Sequence, residues 1–336
     1  MKKTAFQTHK KTDRHISGLN ASSKPLVSII IPTHNGSMFI QRAVNSVLNQ
    51  TYSPLELIVV DDNGRGNEEQ VNTERQLQHY IEEKKLRYLV HDEHQNGSAA
   101  RNTGARVAMG EFLAFLDDDD EYPSERIRES VSRLNELDDS YALVYHSRII
   151  YDATKTPEKY KKTQIAKRNG FIAKYLLLNR STINTNTFLI RKSNYCQIDG
   201  FDESFLRHQD YEFSVRVASR WKVSGIRTIG AISHKYYRNE PKDKNESFRN
   251  MVHYIDKMLP YINNYSLFTR NLIISTRIFR FYRTPFEKMY YKHPRAYVSK
   301  LIQNYRECKV SVKKWIPHYN FFLHMVASFY YKFYVK

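Results

Sequence analysis

The sequence predicts an α/β fold in which a parallel β-sheet is flanked by helices. Between Pro25 and about Asp152, short apolar runs alternate with amphipathic stretches, which is the pattern of strand-helix-strand units. Three successive apolar runs also end in polar or acidic residues. In open α/β sheets, ligands bind along that carboxyl edge of the strands, so the sequence predicts a binding site there.

The first part of this region predicts two strand-helix units. Leu26 to Pro32 is a continuous apolar strand that ends in Thr-His-Asn-Gly, and Ser37 to Gln50 carries apolar residues at helical spacing. Leu55 to Val60 is the next strand, and it ends at Asp61-Asp62-Asn63-Gly64. A polar helix is expected from about Asn67 to Glu83.

Two further strands complete the pattern. Leu86 to Val90 is predicted as a strand, and Ser98 to Met109 as a helix rich in small residues. The apolar run from Glu111 to Leu116 then leads directly into four consecutive aspartates, 117 to 120. The next helix, Pro123 to Leu137, is expected to begin with proline in its first turn, where the missing N–H costs little.

The four aspartates predict a metal or phosphate-chemistry site. Like charges this close repel, and a divalent cation is the usual relief. The alternative is a solvated acidic turn. The position at the end of a buried strand favours the cation site over that alternative.

The pattern changes after Tyr141. Strands are expected at Ala142 to Tyr151 and at Thr187 to Arg191, separated by irregular polar segments. A second acidic cluster lies between Gly200 and Arg216, and the sequence after Glu240 is helix-like and rich in tyrosine.

Composition narrows the class of protein. A chain of 336 residues with 41% hydrophobic content has enough apolar surface for a large core, and its two cysteines, Cys196 and Cys308, fit a reducing compartment. Residues 1–24 lack the apolar run of a signal peptide, and Phe321 to Tyr331 is too short to span a membrane. We therefore expect a soluble or peripheral protein. Neither the dinucleotide-binding nor the P-loop glycine motif is present.

The net charge of +18 belongs to the two ends of the chain. Residues 1–24 carry six basic and one acidic side chain, residues 241–336 carry 18 and five, and residues 25–240 carry 29 of each. The basic, aromatic C-terminal end has three interpretations, namely contact with an anionic membrane, packing on the core, or RNA binding. Membrane contact and packing are compatible with each other, and both are favoured over RNA.

Five blocks of the sequence form an ordered set. They are Val27–Gly36, Ser46–Tyr52, Leu57–Asn63, Gly97–Gly104 and Gly110–Asp120. In this order they resemble the signature of family 2 glycosyltransferases, over roughly residues 25 to 240. The resemblance implies a GT-A fold that uses a nucleotide-diphosphate sugar and a divalent cation.

The resemblance also implies an organisation in domains. A catalytic domain spans 25–240, with a nucleotide-binding half at 25–122 and an acceptor-binding half at 123–240. A basic, flexible tail at 1–24 precedes it. A basic, aromatic and mostly helical extension follows at 241–336.

The resemblance carries nucleotide contacts onto four residues. Thr33 and Asp62 resemble the uridine contacts, with Asp62 accepting from a base N–H. Arg101 resembles a residue on the nucleotide side of the pocket, and Asp118 is expected to reach the ribose. Two simpler alternatives remain: Asp61 and Asp62 cap a turn, or Arg101 pairs with a carboxylate on a helix surface.

Asp117 and Asp119 resemble the D-x-D pair, with Asp119 as the direct ligand of Mn²⁺ or Mg²⁺ and Asp120 as a structural residue. The cation neutralises the departing diphosphate. The resemblance assigns the general base to Asp210, so that direct attack by an acceptor hydroxyl inverts the anomeric configuration. The alternative is that Asp210 is an ordinary surface acid on a helix.

Two departures from the family qualify these assignments. Gln209 stands where the family usually has glutamate before the base, which puts acceptor choice or rate in doubt. The Q-x-x-R-W motif of processive synthases is absent, because Val217 precedes Arg220-Trp221, so we expect single additions. His234 and Arg238 are candidates for a late segment that meets the diphosphate, or are merely exposed.

Taken with the charge distribution, the resemblance predicts an inverting, metal-dependent hexosyltransferase. It would move a sugar from a UDP-sugar to a hydroxyl of a saccharide, on a lipid-linked or surface-polysaccharide precursor. We expect it on the cytoplasmic face of a membrane, held peripherally by residues 241–336. The alternative is a non-catalytic nucleotide-sugar-binding or nucleic-acid-binding protein that retains the fold.

Overall fold

The computed structural model describes residues 24–152, 160–235 and 244–283. The strands found in these ranges are β1 (Val27–Thr33), β2 (Leu55–Asp61), β3 (Arg87–Val90), β4 (Phe112–Phe115), β5 (Tyr141–Asp152), β6 (Tyr160–Gln164), β7 (Asn169–Gly170), β8 (Phe188–Arg191) and β9 (Lys222–Lys235). The helices are α1 (Ile40–Leu48), α2 (Glu68–Glu82), α3 (Gly97–Val107), α4 (Arg126–Asn135), α5 (Ala173–Leu177), α6 (Lys192–Cys196), α7 (Gln209–Arg220), α8 (Lys244–Ile262) and α9 (Leu267–Arg283). A 3₁₀ turn spans Thr185–Thr187.

All the described strands belong to one sheet, in the order β3-β2-β1-β4-β8-β5-β9-β7, with β6 paired to β5. The first four are parallel, and β8 runs antiparallel to both β4 and β5. The predicted α/β fold is confirmed. The expected halves 25–122 and 123–240 meet inside this sheet, through the pairing of β4 with β8, and their boundaries remain predictions.

The core fills both faces of the sheet because successive side chains of each buried strand point to opposite sides. On β1, Ile29 and Ile31 join a cluster with α1, α2 and α4. Ile30 joins the other cluster, which contains side chains of α3 and of α5 to α9. The parallel strands are therefore covered on both faces, and their carboxyl edge stays available for polar groups.

Close packing sets the position of α3. A Cβ atom on Gly104 would lie 2.5 Å from a side-chain carbon of Ile30, so only glycine allows α3 to approach β1 this closely. The helix starts at the carboxyl edge of the sheet, where the Asn96 side chain accepts the N–H groups of Ser98 and Ala99. This places Arg101 in the second turn, facing the edge.

One predicted boundary is wrong. The helix α4 begins at Arg126, not at Pro123. The Pro123 carbonyl accepts the N–H of Arg126 and the side-chain amide of Gln50, so the proline lies in a turn that is bonded to the end of α1. The other predicted helices and strands between 26 and 191 agree with the structure to within a few residues.

The described part of the C-terminal extension is helical and packs on the core. Ile255, Met258 and Ile273 belong to the same buried cluster as Phe213 of α7. Of the three interpretations of this extension, packing therefore holds for residues 244–283. No helix in the described residues is both long and apolar enough to cross a bilayer. Residues 1–23 and 284–336, including the predicted non-spanning stretch 321–331, lie outside the described residues.

A buried histidine predicts a pH dependence of stability. His146 on β5 contacts the Ser130 hydroxyl through Nε2 at 2.8 Å and the Thr228 hydroxyl through Nδ1 at 3.2 Å. Burial, followed by the positive charge of Arg126, lowers the pKa of His146 from 6.5 to about 3. The folded protein therefore holds this imidazole neutral.

The unfolded chain protonates His146 near pH 6.5, whereas the folded chain does so only near pH 3. The contribution of the neutral imidazole to the free energy of unfolding is therefore complete above pH 6.5 and is lost as the pH falls towards 3. The free energy of unfolding should fall by up to about 1.4 kcal/mol per pH unit in this range. Urea unfolding at several pH values between 7 and 5 gives the free energy of unfolding as a function of pH. In His146→Gln, the change of this free energy per pH unit should be smaller than in the wild type by that amount. Val131→Ala on α4 should lower stability equally at every pH. An unchanged slope in His146→Gln would contradict the prediction.

Candidate functional site

The carboxyl ends of β1 and β4 are joined by a side-chain contact. Thr33, the last residue of β1, donates its hydroxyl to Asp118 Oδ2 at 2.7 Å, and both residues are buried. Gly36 lies against this pair, because a Cβ atom there would come within 1.8 Å of the same Asp118 oxygen. The structure thus brings together two predicted nucleotide contacts, and it explains the glycine that follows the first strand.

Asp62 follows β2 and is held in one orientation. One oxygen, Oδ1, accepts from the Gln95 N–H at 2.9 Å and lies 2.7 Å from His91 Nδ1. His91 Nε2 lies 2.9 Å from the Thr103 hydroxyl. A carboxylate offers only acceptors, so Nδ1 of His91 donates to Asp62.

The second oxygen of Asp62 is buried without a hydrogen bond. His94 Nδ1 lies 3.0 Å from it, but is aligned with the Asp62 main-chain carbonyl at the same distance. The His94 ring stacks on that of His34, with centroids 4.0 Å apart. A buried acceptor beside two stacked rings is suited to an aromatic ligand that donates an N–H.

Asp61, by contrast, organises the turn. Its Oδ1 accepts the N–H and the side-chain amide of Asn63, and its Oδ2 accepts the Tyr88 hydroxyl at 2.6 Å. Burial raises the pKa of Asp61, and these hydrogen bonds oppose the increase. The turn-capping interpretation therefore holds for Asp61, whereas Asp62 keeps a buried acceptor atom.

Arg101 and Asp117 form an ion pair at the centre of the edge. The Arg101 guanidinium donates to Asp117 Oδ1 and to the Gly97 carbonyl, and the residue is 5% exposed. The Asp117 side chain is 34% exposed. Arg101 therefore does pair with a carboxylate, but it does so inside the candidate site and not on a helix surface.

Asp120 is the structural member of the aspartate run. It is buried and accepts from the Asn186 amide, the Ser233 hydroxyl at 2.8 Å and the His234 N–H at 2.8 Å. Burial, and then the charges of Asp117 and Asp119, raise the pKa of Asp120 well above its usual range. These bonds tie the run to β9 and to the 3₁₀ turn.

Asp119 and Asp117 are the half-buried members of the run, whereas Asp118 and Asp120 are buried. The Asp119 carbonyl accepts from Arg42 of α1, which fixes its main chain. The described residues contain no cluster of three or more histidine, cysteine or acidic side chains placed to hold a metal. Mg²⁺ commonly binds through one or two carboxylates plus substrate phosphates. The carboxylates of Asp117 and Asp119 therefore fit a cation that shares its coordination with a diphosphate.

Asp210 lies in the first turn of α7, half-buried. Its Oδ1 accepts the Tyr211 N–H at 2.9 Å, and its Oδ2 accepts the Asn184 amide at 3.3 Å. Asn184 Oδ1 accepts the N–H of Asn186, whose own Oδ1 accepts the N–H of Asp117. Two asparagines thus connect the predicted base to the predicted metal ligands.

The acidic residues between 200 and 216 differ in their burial. Glu212 is buried and paired with Arg216, which also donates to the Ile198 and Gly200 carbonyls. Burial raises the pKa of Glu212, and the Arg216 contacts oppose that increase. Glu212 therefore supports the loop before α7, while Asp210 stays at the surface of the site.

His234 is held at the same edge. Its Nε2 lies 2.7 Å from a Glu121 oxygen, and its ring stacks on Tyr151 with centroids 5.5 Å apart. The expectation of a merely exposed side chain is therefore wrong for His234. Arg238, its predicted companion, lies outside the described residues.

Sequence reasoning missed four residues of this site. They are His91, His94, Asn184 and Asn186. A signal existed for the first two, because they follow the end of a predicted strand, as Thr33 and Asp62 do. The asparagines lie in Ser-Thr-Ile-Asn-Thr-Asn-Thr, which is indistinguishable from an ordinary polar loop.

The chain matches a known protein family. Residues 28–197 match the family described as "Glycosyl transferase family 2". The amylovoran biosynthesis glycosyltransferase AmsB of Erwinia amylovora is 27% identical over 250 residues, which cover 72% of this chain and 80% of that protein. The UDP-Glc:alpha-D-GlcNAc-diphosphoundecaprenol beta-1,3-glucosyltransferase WfgD of Escherichia coli is 24% identical over 243 residues, 71% of this chain and 87% of that one.

Solved structures show the same fold. The S. aureus protein TarS, as its fragment 1-349 in complex with UDP-GlcNAc, superposes with a TM-score of 0.59. The superposition covers 80% of this chain and 75% of that one, at 16% sequence identity. The similarity establishes the GT-A architecture that the sequence blocks implied.

Proposed function

The chain belongs to glycosyl transferase family 2, and from that membership we propose that it is an inverting, metal-dependent enzyme that transfers a sugar from a UDP-sugar to a saccharide hydroxyl. One observation carries the proposal. A single sheet edge holds a buried acceptor at Asp62, an Arg101–Asp117 ion pair and a half-buried Asp119. Asp210 is tied to that edge by Asn184.

The proposed sugar donor is a UDP-sugar because Asp62 Oδ2 is a buried acceptor without a hydrogen bond and can accept an N–H of the base. Uracil presents N3–H, whereas cytosine presents a bare nitrogen at that position. The E. coli relative is named for UDP-Glc, and the S. aureus neighbour was crystallised with UDP-GlcNAc. In this proposal, Thr33 and Asp118 hold the nucleoside from the β1 side.

Asp117 and Asp119 are the proposed ligands of Mn²⁺ or Mg²⁺. When bound, such a cation would neutralise the diphosphate as the bond to the sugar breaks. Arg101 holds the Asp117 carboxylate in place and adds positive charge on the nucleotide side of the site. Asn186 fixes the main chain of Asp117.

Asp210 is the proposed general base. It takes the proton of the acceptor hydroxyl as the hydroxyl oxygen attacks the anomeric carbon, and the nucleotide diphosphate leaves from the opposite face. This single displacement inverts the anomeric configuration. Asn184 and the Tyr211 N–H hold the carboxylate in one orientation, which keeps its basic oxygens aligned for the transfer.

The proposed acceptor is a saccharide on a lipid-linked or surface-polysaccharide precursor. The relatives support it, because one is named for amylovoran biosynthesis and the other for a diphosphoundecaprenol acceptor. We further propose peripheral attachment to the cytoplasmic face of the membrane through the basic region 241–336.

A screen of UDP-sugars tests the function. With Mn²⁺ and a panel of diphospholipid-linked saccharides, the wild type should release UDP and extend one acceptor by one sugar. Gln209 favours a second candidate, a binding protein that has lost turnover. Metal-dependent UDP binding by calorimetry, without transfer to any acceptor, would support that candidate instead.

His91 gives a prediction on donor recognition. His91→Asn retains an amide near the position of Nδ1 and so can still donate to Asp62, whereas His91→Gln places its amide nearer to Nε2 and Thr103. Losing a hydrogen bond to a buried carboxylate costs about 1–3 kcal/mol, so we expect the Kd for UDP to rise at least about fivefold in His91→Gln and to stay near wild type in His91→Asn.

Titration calorimetry with UDP and CDP measures this effect. The preference for UDP over CDP should shrink in His91→Gln, and the KM for the donor should rise while kcat changes little. Both variants lose one buried contact and should lower Tm alike. Equal weakening of UDP binding in both variants would show that His91 only supports the fold.

A further inference from the structure

One exposed surface of the described chain combines apolar and basic side chains. We call it the edge surface, and it consists of Ile165, Lys167, Phe171, Lys174 and Tyr175. Burial alternates along residues 163–172. Ala166 and Ile172 are 3% and 1% exposed, whereas Ile165 and Phe171 are each 61% exposed.

The alternation leaves Ile165, Lys167 and Phe171 exposed within a row of seven residues. This row is not a continuous strand, because β6 ends at Gln164 and Gly170 has a φ of +87°. Lys174 and Tyr175 continue it onto α5. The Arg168 guanidinium lies 3.7 Å from the centroid of the Tyr175 ring, which adds a cation behind the row.

Charge is segregated around this surface. Residues 160–198 contain eight basic side chains and no acidic one, and β9, the neighbour of β7, has no acidic residue either. The region 25–240 as a whole carries 29 charges of each sign. Of these basic side chains, Lys167, Arg168 and Lys174 belong to the edge surface or lie beside it.

Within the described ranges, β7 forms one outer edge of the sheet. β7 is the last strand of the sheet order, and no further described strand pairs with its outer edge. Grouped exposed apolar side chains that are rimmed by polar groups mark interaction sites, whereas single ones are normal. A partner of the edge surface has to accept both apolar and cationic groups.

We propose that the edge surface docks on an anionic lipid bilayer. Apolar side chains insert at the boundary of headgroups and acyl chains, and lysines are attracted to anionic headgroups. A second copy of this chain would bring the same positive charge and repel. RNA would use the cations but would gain little from Ile165, which has no ring to stack on a base.

This contact does not depend on the proposed transfer chemistry. It adjoins the C-terminal extension, because Lys174 Nζ lies 5.9 Å from the centroid of the Tyr265 ring. It lies on the catalytic domain itself, in the loops after β5. Docking there would hold the domain against the membrane surface in a fixed orientation, which attachment by a terminal tail alone cannot do.

The test is partitioning of the full-length protein into vesicles. The vesicles contain phosphatidylcholine alone, or phosphatidylcholine with about one third phosphatidylglycerol. Ile165→Ser with Phe171→Ser should lower partitioning about tenfold. Lys167→Glu with Lys174→Glu should lower it at least about fivefold per lysine, and only on the anionic vesicles. Circular dichroism and Tm check that these surface variants are folded.

A matched control removes similar groups elsewhere. Val71→Ser with Lys84→Glu changes exposed residues on α2 and in the turn that follows it, and should leave partitioning unchanged. Unchanged partitioning in both edge-surface pairs, or an equal loss in the control, would overturn the proposal. Loss of RNA binding or of self-association in place of vesicle binding would also overturn it.

Transfer to a water-soluble acceptor separates this inference from the proposed function. All edge-surface variants should keep wild-type transfer in that assay. If the wild type transfers no sugar and the variants still lose vesicle binding, the docking surface stands while the proposed function fails.

Discussion

Asp210→Asn is expected to lower transfer to the acceptor by about 10²- to 10⁴-fold, the usual contribution of a general base. The asparagine has nearly the same shape and can still accept the Tyr211 N–H, as Asp210 Oδ1 does at 2.9 Å. What it lacks is an oxygen able to take a proton. The acceptor hydroxyl would then have to attack without losing its proton to the enzyme.

Two measurements separate this role from a structural one. The kcat for transfer should fall, while the Kd for UDP with Mn²⁺, measured by calorimetry, should stay within about twofold, because Asp210 belongs to the acceptor side. Glu203→Gln is the matched control, since Glu203 is an exposed acid of the same cluster and an amide can still accept from Asn102. A parallel loss of UDP binding in Asp210→Asn would contradict the assignment.

The strands that build the site are predictable because their signal is local. Leu26 to Pro32 and Leu55 to Val60 are apolar without interruption, which requires burial on both faces of a sheet. The polar residues that follow them must then meet at one edge. In the structure, Thr33 is the last residue of β1, and Asp62 and Asp117 follow β2 and β4 at the same edge.

Contacts between distant segments are not predictable in this way. His91 lies 29 positions from Asp62, and Asn184 lies 26 positions from Asp210. No periodicity marks such pairs, because they arise only when the sheet brings their loops together. The start of α4 was mispredicted for the same reason, since the turn at Pro123 is set by its bond to Gln50 of a distant segment.

The aspartate run shows how burial divides residues that are alike in sequence. Asp118 and Asp120 are each 4% exposed and bonded to neighbouring side chains, Asp118 to Thr33 and Asp120 to Asn186 and Ser233. Asp117 and Asp119 remain half-buried at the edge. Alternation along the chain therefore leaves the first and third carboxylates half-buried at the edge, which is the spacing of the proposed D-x-D pair.

Removing the third carboxylate is the second large prediction. Asp119→Ala should lower transfer by about 10²-fold or more, because a metal-held diphosphate leaves far more readily than a free one. The same change should abolish the increase in UDP affinity that Mn²⁺ produces, while metal-free UDP binding stays near the wild-type value. Calorimetric titration of UDP with and without Mn²⁺ measures this directly, without relying on turnover.

Glu121→Gln is the control for a general loss of negative charge at the edge. It removes a negative charge two residues further along, and the amide can keep the contact with His234, which lies 2.7 Å from the Glu121 oxygen. General loss of charge at the edge would affect both variants, whereas loss of a ligand affects only Asp119→Ala. Retained Mn²⁺ dependence in Asp119→Ala would therefore contradict Asp119 as the ligand and would assign the cation to Asp117 or to a site outside the aspartate run. The buried Asp118 and Asp120, already committed to hydrogen bonds, have little capacity to replace the lost ligand.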